Sequence, residues 1–118
     1  MENIVTRVEK PWGYELHWAK TARYVGKILH INAGHALSLQ YHNHKEETIY
    51  LYSGKLLYEI DVNGTLKKIE MNPGDSIHVV PKTIHRMTAI EDCDVLEAST
   101  PELDDVVRLE DRYGREGT

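Results

Sequence analysis

Between Leu37 and His42 apolar and polar residues alternate strictly, Leu37, Leu39 and Tyr41 against Ser38, Gln40 and His42. This period of two predicts a half-buried strand, with Gln40, His42 and, by continued parity, His44 on one face. Asn43-His44-Lys45-Glu46 breaks the pattern, and Glu47, Ile49 and Leu51 begin a second strand that Ser53-Gly54-Lys55 turns. The rest of the chain repeats this rhythm. Lys10-Pro11-Trp12-Gly13 is a turn leading into Tyr14 to Trp18, and Tyr24 to Ile31 is a strand closed by Asn32-Ala33-Gly34. Leu56 to Val62 and Leu66 to Met71 flank Asn63-Gly64, a strong hairpin signal. Asn72-Pro73-Gly74-Asp75 turns the chain into Ser76 to Val80; after Pro81-Lys82-Thr83, Ile84 to Ile90 and Val95 to Thr100 complete the set. Many short strands at near-regular spacing predict an all-β barrel or sandwich. Thr100-Pro101-Glu102-Leu103 instead has the cap, first-turn proline and acid of a helix start, so a short C-terminal helical segment is expected.

Composition narrows the setting. With 118 residues, one domain spanning 1–118 is expected. A net charge of -5 argues against nucleic acid or an anionic membrane as partner. Cys93 is the one cysteine, which excludes an internal disulfide and fits a reducing cytoplasm. No apolar run approaches the ~20 residues of a membrane span. Met1-Glu2-Asn3-Ile4 has neither the basic start nor the apolar stretch of a signal peptide, so a cytoplasmic location is expected.

The two central strands bring an amide, two imidazoles and a carboxylate together, donors of the kind a first-row divalent metal accepts. Their spacing resembles the cupin superfamily. Its first motif runs Gly, five residues, His-x-His, three or four residues, Glu, six residues, Gly; here Gly34, Gln40-Tyr41-His42, Glu47 and Gly54 fill those places, with Gln40 at the first His. Placing His42-x-His44 in the His-x-His slot breaks both flanking spacings. The second motif, Gly, five residues, Pro-x-Gly, two residues, His, is met by Gly74 and His85, with Val80 and Lys82 replacing the proline and the glycine. The resemblance implies a jelly-roll barrel and one divalent metal ion (Zn, Mn, Co, Ni or Fe) held by Gln40, His42, Glu47 and His85. It also implies a homodimer, since small cupins usually pair through their sheets.

A closer resemblance spans nearly the whole chain. Lys10-Pro11-Trp12-Gly13, Leu37-Ser38-Leu39-Gln40-x-His42-x-His44-Lys45-x-Glu47, His85-Arg86 and the run Asp104 to Arg115 look like the C-terminal isomerase domain of type II mannose-6-phosphate isomerases. Isomerases of the other type hold their metal with Gln, His, Glu and His, which agrees with the Gln40 register. This chain departs from the pattern at Lys45, where the family has Arg, and at Glu47-Thr48-Ile49, where it has Glu-His-Trp. The 118 residues contain no counterpart of the nucleotidyltransferase half to which that domain is often fused. The resemblance implies interconversion of an aldose and a ketose phosphate, with a small-molecule sugar phosphate as partner. For that reaction His44 is the candidate base, and Lys27, Lys45 and Arg86 are candidates for the phosphate. A metal-dependent oxygenase and a non-catalytic small-molecule binder are the alternative readings. Trp12 and Trp18 read as core or dimer contacts, and the run Arg108 to Arg115 as a charged surface or subunit contact.

Overall fold

The computed structural model describes residues 1–117. Its strands are β1 (Thr6–Lys10), β2 (Gly13–Lys20), β3 (Val25–Ile31), β4 (Leu39–Tyr41), β5 (Glu47–Ser53), β6 (Leu56–Val62), β7 (Thr65–Met71), β8 (Ser76–Val79), β9 (His85–Ala89), β10 (Cys93–Ser99) and β11 (Val107–Glu110). They build two antiparallel sheets, one ordered β1-β2-β3-β10-β5-β8 and the other β11-β4-β9-β6-β7.

Strand alternation decides what each sheet turns inward. Across the six-stranded sheet, the register rows Leu29–Val95–Leu51 and Ile31–Cys93 are apolar. The next row toward the other end is Lys27–Glu97–Ile49–Ile77, and beyond it lies Val25–Ser99–Glu47–Val79. The five-stranded sheet answers with Leu56, Tyr58, Met71, Met87 and Ala89 at the apolar end, where Trp12 joins the core. At the polar end it presents Gln40 opposite His85. One end of the interior is therefore closed by hydrophobic packing, and the other carries charge.

Turn chemistry fixes the strand ends. Gly54 has φ +93°, and a Cβ there would lie 2.1 Å from the Asp92 carbonyl oxygen, so the turn admits only glycine. Lys82, at the position the second motif gives to glycine, has φ 67°. It pays for that conformation with a hydrogen bond from its N–H to the His42 carbonyl oxygen at 2.6 Å.

Several expectations are corrected. No helix follows Thr100. Its hydroxyl accepts the N–H of Glu46 at 2.9 Å, and Val107–Glu110 pairs with β4 as a strand, leaving too few residues between for a helix to nucleate. That strand and β1 both lie at sheet edges, and neither is expected from the alternation. The central strand is shorter than its pattern, ending at Tyr41. Parity therefore does not carry His44 onto the face of Gln40. The Asp105 carboxylate gathers the N–H groups of Asn43, His44 and Lys45 into a turn, and His44 is exposed. No helix of the described residues is long and apolar enough to cross a membrane.

Candidate metal centre

His42 leaves the end of β4, Glu47 opens β5 and His85 opens β9, so three strand ends deliver three donors to the polar end of the interior. The side chains are 4%, 3% and 1% exposed. Their ligating atoms lie within 4.8 Å of one another. His42 Nδ1 is 2.5 Å from the Asp105 carbonyl oxygen, and His85 Nδ1 is 2.8 Å from that of Thr83. A carbonyl accepts only, so each Nδ1 carries a proton, and each ring turns Nε2 inward as the nitrogen left to meet a cation. The two Nε2 atoms face Glu47 Oε1 at 3.5 Å from His42 and 3.2 Å from His85. His85 Nε2 is fully buried and makes no hydrogen bond.

Two inward nitrogens and a carboxylate oxygen thus converge where a cation could lie among them. Zinc–nitrogen and zinc–oxygen bonds of about 2.0–2.2 Å place neighbouring donors about 2.9–3.5 Å apart, which spans the 3.2 and 3.5 Å from Glu47 Oε1 to the two imidazoles. The donor set thus fits a divalent metal. Gln40 stands beside it, with its amide nitrogen 3.5 Å from His42 Nε2 and its oxygen accepting the Ser38 hydroxyl at 2.6 Å. A half-turn of the amide would offer its oxygen to a cation and let its nitrogen donate to Ser38.

Behind Glu47 runs a chain of alternating charge. Lys45 Nζ lies 3.3 Å from Glu47 Oε2 and 3.0 Å from Glu97 Oε2. Lys27 Nζ lies 4.0 Å from Glu97 Oε2 and 3.2 Å from Glu15 Oε1, which His17 also meets at 2.8 Å. Burial works against the charges of Glu15, Lys45, Glu47 and Glu97. The carboxylates of Glu97 and Glu47 nonetheless hold Lys45 above its ordinary value. Contacts with His42, His85 and Lys45 overcome burial to keep Glu47 well below the usual carboxyl range. Glu97, pressed by burial and then by the charge of Glu47, is pushed up to about 7. At Asp105, the three backbone N–H groups outweigh desolvation and lower the carboxyl to about 2.

The centre opens into a cavity of about 400 Å³. Gln40, His42, Glu47, Lys27 and Lys45 line it together, whereas His44 and Arg86 are not among its lining residues. Arg86 turns to the outer face, where Nε and a terminal nitrogen meet the Glu59 carboxylate at 3.0 and 3.3 Å. Among the sequence candidates, then, the four candidate metal donors and two lysines come together, and the candidate base and one candidate phosphate ligand do not. Sequence reading missed Glu97, Glu15 and Asp105. The first two sit in alternating strands where an inward acid reads as a wet face. Asp105 acts through a main-chain carbonyl, which no sequence pattern marks.

Comparison with known proteins agrees with this geometry. The Cupin domain model matches residues 27–98, and the chain belongs to that family. Mannose-1-phosphate guanylyltransferase ManC of Salmonella typhimurium is 32% identical over 113 residues, covering 92% of this chain and 23% of that protein. The chain thus spans under a quarter of the length of this curated relative. Among solved structures, KdgF from Halomonas sp. superposes with TM-score 0.70 at 21% identity, over 86% of this chain and 89% of that one. Oxalate decarboxylase from Bacillus subtilis gives 0.78 at 16% identity, over 89% and 30%. At these identities the structural likeness establishes the fold.

Proposed function

We propose that this cupin is a metal-dependent sugar-phosphate isomerase, interconverting an aldose and a ketose phosphate, with mannose 6-phosphate the first substrate to test. The observation that carries the reading is the buried His42–Glu47–His85 cluster, with Gln40 beside it, at the wall of a cavity large enough for a small molecule. The likeness to a mannose-1-phosphate guanylyltransferase supports a phosphorylated sugar as the ligand class.

Isomerisation removes a proton from the carbon beside a carbonyl and builds negative charge on oxygen. When bound, a divalent cation supplies Lewis-acid stabilisation of that charge. Gln40, His42, Glu47 and His85 would hold it. Lys45 neutralises the far oxygen of Glu47 and fixes the carboxylate's orientation. Glu97 is a cavity-wall carboxylate outside the donor cluster, 3.0 Å from Lys45, and it stands as the group that moves the proton. Exposed His44 serves as the comparison. The same reading makes the protein a homodimer. Trp18, Tyr50 and Tyr52 are 49%, 41% and 65% exposed on the six-stranded sheet, and sedimentation equilibrium tests the pairing.

The decisive experiment incubates metal-loaded protein with hexose and pentose phosphates deuterated at the second carbon, following label and product. Turnover that vanishes in His42→Ala and His85→Ala is expected. Tight binding of some other small molecule, with no turnover on any sugar phosphate, would overturn isomerisation in favour of a non-catalytic binder.

A further inference from the structure

We infer that Lys10, Arg108 and Arg115 form an anion subsite that takes the phosphate end of a substrate whose other end lies at the metal centre. The inference rests on the isomerase reading for the identity of the ligand, but its geometry stands apart. These residues come from opposite ends of the chain, yet all three line the cavity that holds Gln40, His42 and Glu47.

Register fixes the direction of Arg108. On the five-stranded sheet Arg108 pairs with Gln40, and Gln40 pairs with His85. Directly paired residues of neighbouring strands project to the same face. Arg108 is thus on the face of the metal donors, two strands from His85, a step of about 9–10 Å. That span is comparable to an extended six-carbon sugar carrying a terminal phosphate.

The other two cations are also fixed in place. Asp111 grips Arg115 through two contacts of 2.8 and 3.0 Å. Its turn is pinned to the barrel by Arg112, which donates to the Gly34 carbonyl at 2.8 Å, and by Tyr113, whose hydroxyl lies 2.7 Å from His35 Nδ1. Lys10 ends β1 at the sheet edge. Burial lowers its pKa, Glu15 opposes this, and the positive charges of Lys27, Arg108 and Arg115 lower it further, so the cations feel one another.

Charge completes the case. Among the described residues, six lysines and arginines line the cavity against four aspartates and glutamates, on a chain of net charge -5. The deep pair Lys27 and Lys45 is engaged by Glu15, Glu47 and Glu97. Lys10, Arg108 and Arg115 add positive charge at β1, β11 and the C-terminal turn, where guanidinium groups and a lysine suit a phosphate dianion.

The test uses calorimetric titration of the metal-loaded full chain with inorganic phosphate, mannose 6-phosphate and unphosphorylated mannose, in wild type, Arg108→Gln and Lys10→Gln. Arg86→Gln serves as a control. Each of the first two variants should weaken phosphate and mannose 6-phosphate at least tenfold, leaving metal content and melting temperature unchanged; Arg86→Gln should change neither affinity. Lys10→Gln, at a sheet edge, keeps the test valid where Arg108→Gln folds poorly. Undiminished mannose 6-phosphate turnover and affinity in both variants would overturn the subsite and leave the isomerase reading standing. Phosphate binding that depends on Lys10 and Arg108, without sugar-phosphate turnover, would uphold the subsite and overturn the isomerase reading. Wild type that binds neither phosphate nor mannose 6-phosphate would overturn both.

Discussion

Asp105 holds His42 from two directions. Its carbonyl oxygen accepts the proton of His42 Nδ1 at 2.5 Å, and its carboxylate accepts the backbone N–H groups of Asn43, His44 and Lys45 at 2.9, 2.6 and 2.8 Å. Asp105, in the segment between β10 and β11, thus sets the ring orientation of a candidate metal donor and folds the turn that follows it.

Asp105→Ala should therefore act on both stability and metal. Losing an acceptor for three N–H groups is expected to cost about 1–3 kcal/mol. Freeing the turn that aims His42 should lower metal affinity about 10–100-fold. Denaturant melts and metal titration check the two effects. The pH dependence has a definite sign. The folded carboxyl lies at about 2 against an ordinary 3.8, so its contribution is present above about pH 4 and disappears as pH falls through about 2. The Ala variant should lack that acid limb.

Metal content separates the two possible histidine pairs. One divalent ion per chain is expected by elemental analysis, lost in His42→Ala and in His85→Ala. Gln40→Ala should weaken it, and His44→Ala should retain it, because His44 is exposed and turned out of the site. Full loss in His44→Ala together with no loss in Gln40→Ala would point to the His42-x-His44 set.

Much of this site was legible because its donors stand at strand ends, where spacing survives folding. Gly54 is forced by a backbone approach of 2.1 Å, so the motif spacing marks a steric requirement. What stayed hidden depended on partners distant in sequence. His44 follows the strand parity of Gln40 until the Asp105 carboxylate, 61 residues away, bends the chain. Thr100 carries a helix cap's chemistry and spends it on Glu46. Lys10 and Arg108 line one cavity from two edge strands, and short edge strands leave little alternation to read.

Lys82 offers a stabilising change. Its φ of 67° lies in the left-handed region, which costs a residue with a side chain about 1–2 kcal/mol and costs glycine little. Lys82→Gly releases that strain but gives the unfolded chain more freedom, an offset of about 0.4–1 kcal/mol. A net gain of about 0.5–1 kcal/mol in chemical denaturation is expected, with metal content unchanged. The N–H to the His42 carbonyl is retained by any residue but proline.

Lys45 distinguishes a structural cation from a substrate ligand. It is buried between Glu47 and Glu97 at 3.3 and 3.0 Å, and removing it leaves two carboxylates without the charge that separates them. Breaking a buried pair from one side typically costs about 3–5 kcal/mol. Lys45→Met should be destabilised by about that amount, and adding Glu97→Gln should recover most of the loss by removing the stranded charge. The folded ammonium titrates above its ordinary value, so its contribution is complete at neutral pH and fades only as strongly alkaline pH passes the raised folded value. The Lys45→Met deficit should accordingly stay constant between about pH 6 and 9 in thermal melts of the metal-loaded protein. If Lys45 instead gripped a phosphate, its loss would raise KM for the sugar phosphate and leave the melting temperature where it was.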